Sequence, residues 1–189
     1  MYNLFEEVKK YSPYDFNEAE SKRKILNFLL ENENCFSRTN LNGHVTAGGF
    51  VCDGKGNILL NHHKASGMWF QFGGHSDGNP NPLEVAIREI GEEAGITNSR
   101  LAFNGIFDLD VQQIPYSAKK NEPEHFHYDV NFLFKVKNKF FKISDESMEI
   151  KWVTIKEAKA LVDKRDRAML RMIDKYEELL NNNFFCNLK

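Results

Sequence analysis

The sequence predicts an α/β fold with a mixed β-sheet between helices, and three observations lead there. Strand-like patterning fills residues 44–63 and 101–136. An amphipathic helical stretch, 82–94, interrupts it, and helical periodicity returns near both ends of the chain. The resulting order of helix, strands, helix, strands and helices is that of a layered α/β domain.

Each element has a local reason. A short helix fits Leu4 to Lys10, and a longer one Asn17 to about Asn34. Asn17 can cap the second, with Glu20 at the capping-box distance. Ile25, Leu26, Phe28, Leu29 and Leu30 give it a broad apolar face. "HVTAGGFVC", "DGKGN" and "ILLNHH" read as strand, turn and returning strand. "MWFQF" is a further short strand. Pro82 suits the first turn of the next helix, and Gly95 suits its end. "LAFNGIFDLDVQQI" and "EHFHYDVNFLFKV" are two long strands joined by the polar connector "PYSAKKNEPE". "EIKWV" is the last strand, Thr154 and Glu157 form a capping box, and a final helix spans about Asp163 to Leu180.

Composition narrows the function. The chain has 189 residues, 41% of them hydrophobic, enough for one sizeable core. Its formal net charge of −2 supplies no basic field for duplex nucleic acid. No apolar run is long enough for a membrane span, and "MYNLFEEVKKYSPYDF" lacks the apolar centre of a signal peptide. Cys35, Cys52 and Cys186 form no CxxC pair and read as idle thiols, so a reducing, cytoplasmic setting is expected.

The most informative stretch is "GGHSDGNPNPLEVAIREIGEEAGI", Gly73 to Ile96. On a helical wheel Leu83, Ala86, Ile87, Ile90 and Ala94 share one face. Glu89, Glu92 and Glu93 fall at i, i+3 and i+4 on another. Like charges at that spacing repel, and the C-terminal half of a helix disfavours anions. Gly91 weakens the helix by roughly 1 kcal/mol more. The set makes sense beside a hard divalent cation, Mg²⁺ or Mn²⁺, which carboxylates can bridge to polyphosphate oxygens.

Here the sequence resembles the Nudix family, whose box reads G-x5-E-x7-R-E-U-x-E-E-x-G-U with U apolar. With Gly74 as the first glycine, Arg88, Glu89, Ile90, Glu92, Glu93, Gly95 and Ile96 match, and Pro80 replaces the first glutamate. The resemblance extends over about Cys35 to Val153 and is similar to a bacterial subgroup with a GGHxDG loop. It implies a Nudix α/β/α sandwich over 1–189, with box 73–96 and an extra N-terminal helical extension, 1–40. It also implies hydrolysis of a diphosphate linked to another group by metal-activated water. In that pattern Glu92 and Glu93 are core metal ligands, and Glu89 is a ligand or the general base. Arg88 orients Glu89, and the Gly73 carbonyl adds a ligand. Many members recruit another carboxylate before the last strand; Glu146 fits, with Asp145 and Glu149 behind it. Asp77 is a candidate to compensate for Pro80.

Substrate contacts are expected from His75, His127, Tyr128 and Lys64. In "HFHYD" a strand puts His125, His127 and Asp129 on one face. That spacing suits either a polar cleft wall or a second metal site. The expected partner is a small phosphate compound, nucleotide-derived, with no membrane and with a homodimer as an open expectation. Two other readings remain. A Nudix-fold ligand sensor would have little turnover, and an isopentenyl-diphosphate-isomerase-like enzyme would need a positioned cysteine.

Overall fold

The computed structural model describes residues 2–118 and 121–186; Lys119 and Lys120 of the polar connector lie outside them. The predicted class holds: one mixed sheet of eight strands lies between helical layers. Strand β1 (Gly43–Cys52) pairs in parallel with β7 (His125–Lys135), from Gly43 opposite Phe126 to Cys52 opposite Lys135. Every other pairing is antiparallel.

Both central strands divide their outer edges. The start of β1 pairs with β4 (Phe72–His75), and its end with β2 (Asn57–His63). The start of β7 pairs with β6 (Asp108–Ile114), and its end with β5 (Arg100–Leu101). β2 carries β8 (Ser147–Thr154) and β3 (Met68–Phe70). The expected strand "MWFQF" is therefore two, because Gln71 sits where the chain leaves β2 and joins β1. The expected strand 101–114 is also two, β5 and β6.

The side-chain alternation of β1 and β7 separates two cores. Val45, Ala47, Val51, Val130, Phe132 and Phe134 pack toward α1 (Leu4–Lys10), α2 (Phe16–Glu31) and α3 (Pro82–Ala94). Phe50, Cys52 and Leu133 pack toward α4 (Ile155–Leu161) and α5 (Arg167–Asn181). Gly49 is needed here, since a Cβ would overlap the Ile90 side chain. Several helix starts move. Asp15, not Asn17, caps α2 by accepting from the Glu18 N–H. Leu30 is 69% exposed, so the apolar face of α2 is narrower than the sequence suggests. Asp166, not Asp163, caps α5. The Thr154–Glu157 capping box forms as expected.

A buried ionic knot ties the N-terminal helices to the sheet and to α5. The Arg171 guanidinium donates to both oxygens of Asp108, at 2.8 and 2.7 Å. Lys175 Nζ donates to Asp108 (2.8 Å), the Tyr11 hydroxyl (2.9 Å), the Phe107 carbonyl (2.9 Å) and Glu18. Burial pushes the Asp108 carboxyl up to about 6, and Arg171 and Lys175 keep it ionised at neutral pH. Burial also opposes charge on Glu18, but Lys175 and the Tyr11 hydroxyl hold its pKa below the ordinary range.

Candidate functional site

Helix α3 positions the carboxylates. The Asn81 side chain accepts from the Leu83 N–H at 3.2 Å, and Pro82 opens the helix. Gly95 ends it in the left-handed region at φ 65°. The buried face carries Val85, Ala86, Ile90 and Ala94, together with Glu89 and Glu93. Ile87, expected on that face, is 47% exposed.

Glu89 and Glu93, one helical turn apart, point under the β4 glycines and are only 9% and 6% exposed. A Cβ at Gly74 would overlap the Glu89 carboxylate, so glycine is required for the close approach. The Gly73 N–H donates to Glu93 Oε2 at 3.3 Å, so the group of Gly73 that touches the pair is its amide. Burial first, then the charge of Glu89, pushes Glu93 up to about 8; the Gly73 amide and Asn61 offset part of this. Burial also raises Glu89, against the pull of Arg88 and with the push of Glu92. Arg88 lies 2.8 Å from Glu89, and it donates to the His75 carbonyl at 2.9 Å. Glu92 lies on the exposed flank of the same helix, ion-paired to Arg88 at 3.2 Å and close enough for its charge to act on Glu89.

Glu146 adds a third charge, which bears on both Glu89 and Glu93. Its loop is fastened by Lys64: the backbone N–H donates to the Glu146 carbonyl at 2.9 Å, and Nζ to the Asp145 carbonyl at 2.8 Å. Lys64 thus holds the acidic loop, where the sequence suggested a phosphate contact. Asp77 is engaged by Arg38 at 2.6 and 2.9 Å, its charge bears on Glu89, and Pro80 is exposed.

The remaining expected substrate contacts separate by face. His75 pairs with Thr46, and His127 with His44, so these side chains share the face opposite Glu89. The His75 ring centroid is 5.0 Å from those of His44 and His127. Burial pushes His75 down to about 4, so it is neutral at physiological pH. Tyr128 occupies the other face and stacks on Phe28 of α2 at 3.8 Å. It is therefore apart from His75 and His127. Beyond the histidines the same face carries Thr46, which donates to Asp129, and Asn131, which accepts from Gln71 at 3.1 Å. Burial pushes Asp129 up to about 7. Asn61, Gln71 and Asn131 escaped the sequence reading. Their signal was an isolated polar residue inside an apolar strand, which buried strands do not carry without a partner.

A sheet with one parallel pair, a glycine-lined β4 and buried carboxylates on the following helix define the class. The chain belongs to the Nudix family: the NUDIX domain model matches residues 43–174. A probable DHNTP pyrophosphohydrolase of Lactococcus lactis subsp. cremoris is 29% identical over 72 residues, 38% of this chain and 42% of that protein. The match spans less than half the relative's length. Among solved structures, a C. elegans Ap4A hydrolase binary complex aligns with 22% identity and a TM-score of 0.54, over 73% of this chain and 98% of that one. The E. coli dihydroneopterin triphosphate pyrophosphohydrolase aligns with 14% identity and a TM-score of 0.57, over 73% and 95%. These two establish the likeness of fold. No helix among the described residues is long and apolar enough to cross a membrane.

Proposed function

We propose that this protein is a metal-dependent hydrolase that cleaves a diphosphate linkage in a nucleoside diphosphate derivative or related phosphate compound. The observation that carries this reading is the Glu89–Glu93 pair: two buried carboxylates, one turn apart, with Glu146 adding a third negative charge. Among the described residues the cation paired with them is Arg88, which is shared with Glu92. Oxygen donors of this kind fit a hard divalent ion, Mg²⁺ or Mn²⁺. When bound, such an ion neutralises phosphate charge and acidifies a water molecule.

The chain's own groups supply the rest. Glu93 and Glu89 would hold the ion, with Glu146 offered from the loop that Lys64 fastens. Arg88 fixes the Glu89 carboxylate between α3 and the His75 carbonyl, so that Glu89 can take a proton from the attacking water. The activities for which these relatives are named favour a phosphoric anhydride as substrate. The cysteine that isomerase chemistry would need is not at the carboxylates. Cys52 belongs to the other core, and burial pushes its thiol up to about 12.

The test is product release from nucleoside triphosphates, dinucleoside polyphosphates and nucleoside diphosphate sugars with Mg²⁺ or Mn²⁺. Glu93→Gln and Glu89→Gln are expected to lower turnover by about 10²–10⁴-fold. Full activity in either variant removes the site assignment, and tight binding without turnover across the panel supports a sensor instead.

A further inference from the structure

We propose that His44, His125 and His127 form a second metal site, for a borderline divalent transition ion such as Zn²⁺, on the sheet face opposite the Glu89–Glu93 pair. The three side chains come from two strands that are distant in sequence. The parallel register of β1 and β7 sets His44 beside His127, and strand alternation brings His125 to the same face. One ligand nitrogen from each lies within 4.8 Å of the others.

Three features go beyond proximity. The Nε2 atoms of His125 and His127 are 3.2 Å apart. Two imidazole nitrogens on one tetrahedral Zn²⁺, each about 2.0–2.1 Å from the ion, stand about 3.3 Å apart, so this pair is already spaced as ligands are. The Nδ1 of His125 lies 2.8 Å from the Pro123 carbonyl and donates to it, which leaves the Nε2 lone pair facing His127. A carbonyl fixing the far nitrogen is the usual support for a metal-ligating histidine. Finally, His44 is 4% exposed and neither of its buried ring nitrogens makes a well-formed hydrogen bond, although the Asn40 backbone lies near enough to act on the ring. A buried polar atom left unpaired costs about 1–3 kcal/mol, and an ion between the rings would remove that cost for one nitrogen.

The chemistry of the donors separates this site from the other one. Imidazole suits Zn²⁺, Co²⁺, Ni²⁺ and Fe²⁺, whereas the carboxylates suit Mg²⁺ and Mn²⁺. Burial lowers the His44 pKa and so disfavours the protonated form, which cannot ligate. Three protein nitrogens leave a coordination position for water or a substrate oxygen, and the His75 ring borders it. The proposal does not depend on the hydrolase reading, since the two sites share no ligand.

Titration of chelator-treated protein with Co²⁺ tests it. One Co²⁺ per chain is expected to show the visible absorption of a low-coordinate nitrogen site, while Co²⁺ taken up by the carboxylates would add only the weak absorption of a six-coordinate oxygen site. His44→Ala and His127→Ala should each weaken binding by more than about 100-fold, because loss of a supporting partner alone costs 10–100-fold. Glu93→Gln should leave the spectrum in place. Circular dichroism of each variant separates lost binding from lost fold. X-ray absorption of the Zn²⁺-loaded wild-type protein needs no variant, and three imidazole scatterers are expected. Absence of the Co²⁺ spectrum, its persistence without His44 and His127, its loss in Glu93→Gln, or an all-oxygen Zn²⁺ shell each overturns the proposal. The first of these outcomes would leave His125 and His127 as a hydrogen-bonded pair.

Discussion

Two clusters of buried carboxylates lie in this molecule, and they are built in opposite ways. In the knot, Glu18 and Asp108 each face a cation, and Arg171 and Lys175 saturate them with hydrogen bonds. On α3, Glu89 and Glu93 are comparably hidden, yet the cation beside them is the half-exposed Arg88, which pairs with Glu89 and is shared with Glu92, and otherwise they meet Glu146 and glycine backbone. Charges taken out of water must be paired or must lose their charge. The knot takes the first course. The α3 pair takes the second, since Glu93 is raised to about 8. A buried pair with one shared, half-exposed cation is unfavourable for the fold alone, and it is the arrangement that a further cation would stabilise.

The largest effect should come from breaking the knot. Lys175→Met removes one cation and leaves Glu18 and Asp108 short of charge, and breaking a buried pair of this kind costs about 3–5 kcal/mol. Urea denaturation should detect that loss; a change under about 1 kcal/mol would mean that the knot is solvated. Glu93→Gln should act in the opposite sense. In metal-free protein near neutral pH it removes the cost of keeping that buried carboxyl protonated, and a gain of about 1 kcal/mol would raise Tm by roughly 2–4 °C for a chain of this size. The same substitution should abolish turnover, which separates stability from function.

The pH dependence sharpens the contrast. Glu93 is raised from about 4.5 in the unfolded chain to about 8 in the folded one. Between those values the folded chain keeps a proton that the unfolded chain releases. Stability from this group is therefore present at low pH and is lost as pH rises toward about 8. With EDTA present, Tm should fall across that window, and Glu93→Gln should flatten the profile. An unchanged wild-type slope in the variant would place the titration elsewhere.

The smallest effect is expected at Pro80. It is exposed and precedes α3, whose rise of about 1.5 Å per residue sets Pro82 roughly 10 Å from Glu89 along the axis. Pro80→Glu should change stability by less than about 0.5 kcal/mol. Calorimetric titration should find Mg²⁺ affinity unaltered; tighter binding would mean that the loop folds inward over the site.

Much of this was legible in the chain. The caps and period of α3 fixed its limits as Pro82–Ala94, and the spacing of Arg88, Glu89, Glu92 and Glu93 marked the family before any coordinates. Local signals failed where a partner outside the segment decided the matter. Asp15 rather than Asn17 caps α2, beside the segment anchored by Glu18. "MWFQF" splits because its two halves join different strands. The knot was illegible, since Glu18, Asp108, Arg171 and Lys175 are far apart in sequence and each alone looks like an ordinary surface charge.

The sequence by itself determined the class of fold, the helix and the carboxylates on it, because helical spacing and capping are local properties of the chain. Only the tertiary structure decided which charges are paired, that Tyr128 faces away from His127, and that His44 stands beside His127. The physical reason is that a strand's alternation assigns side chains to one face or the other, while strand order and register choose the neighbours they meet there.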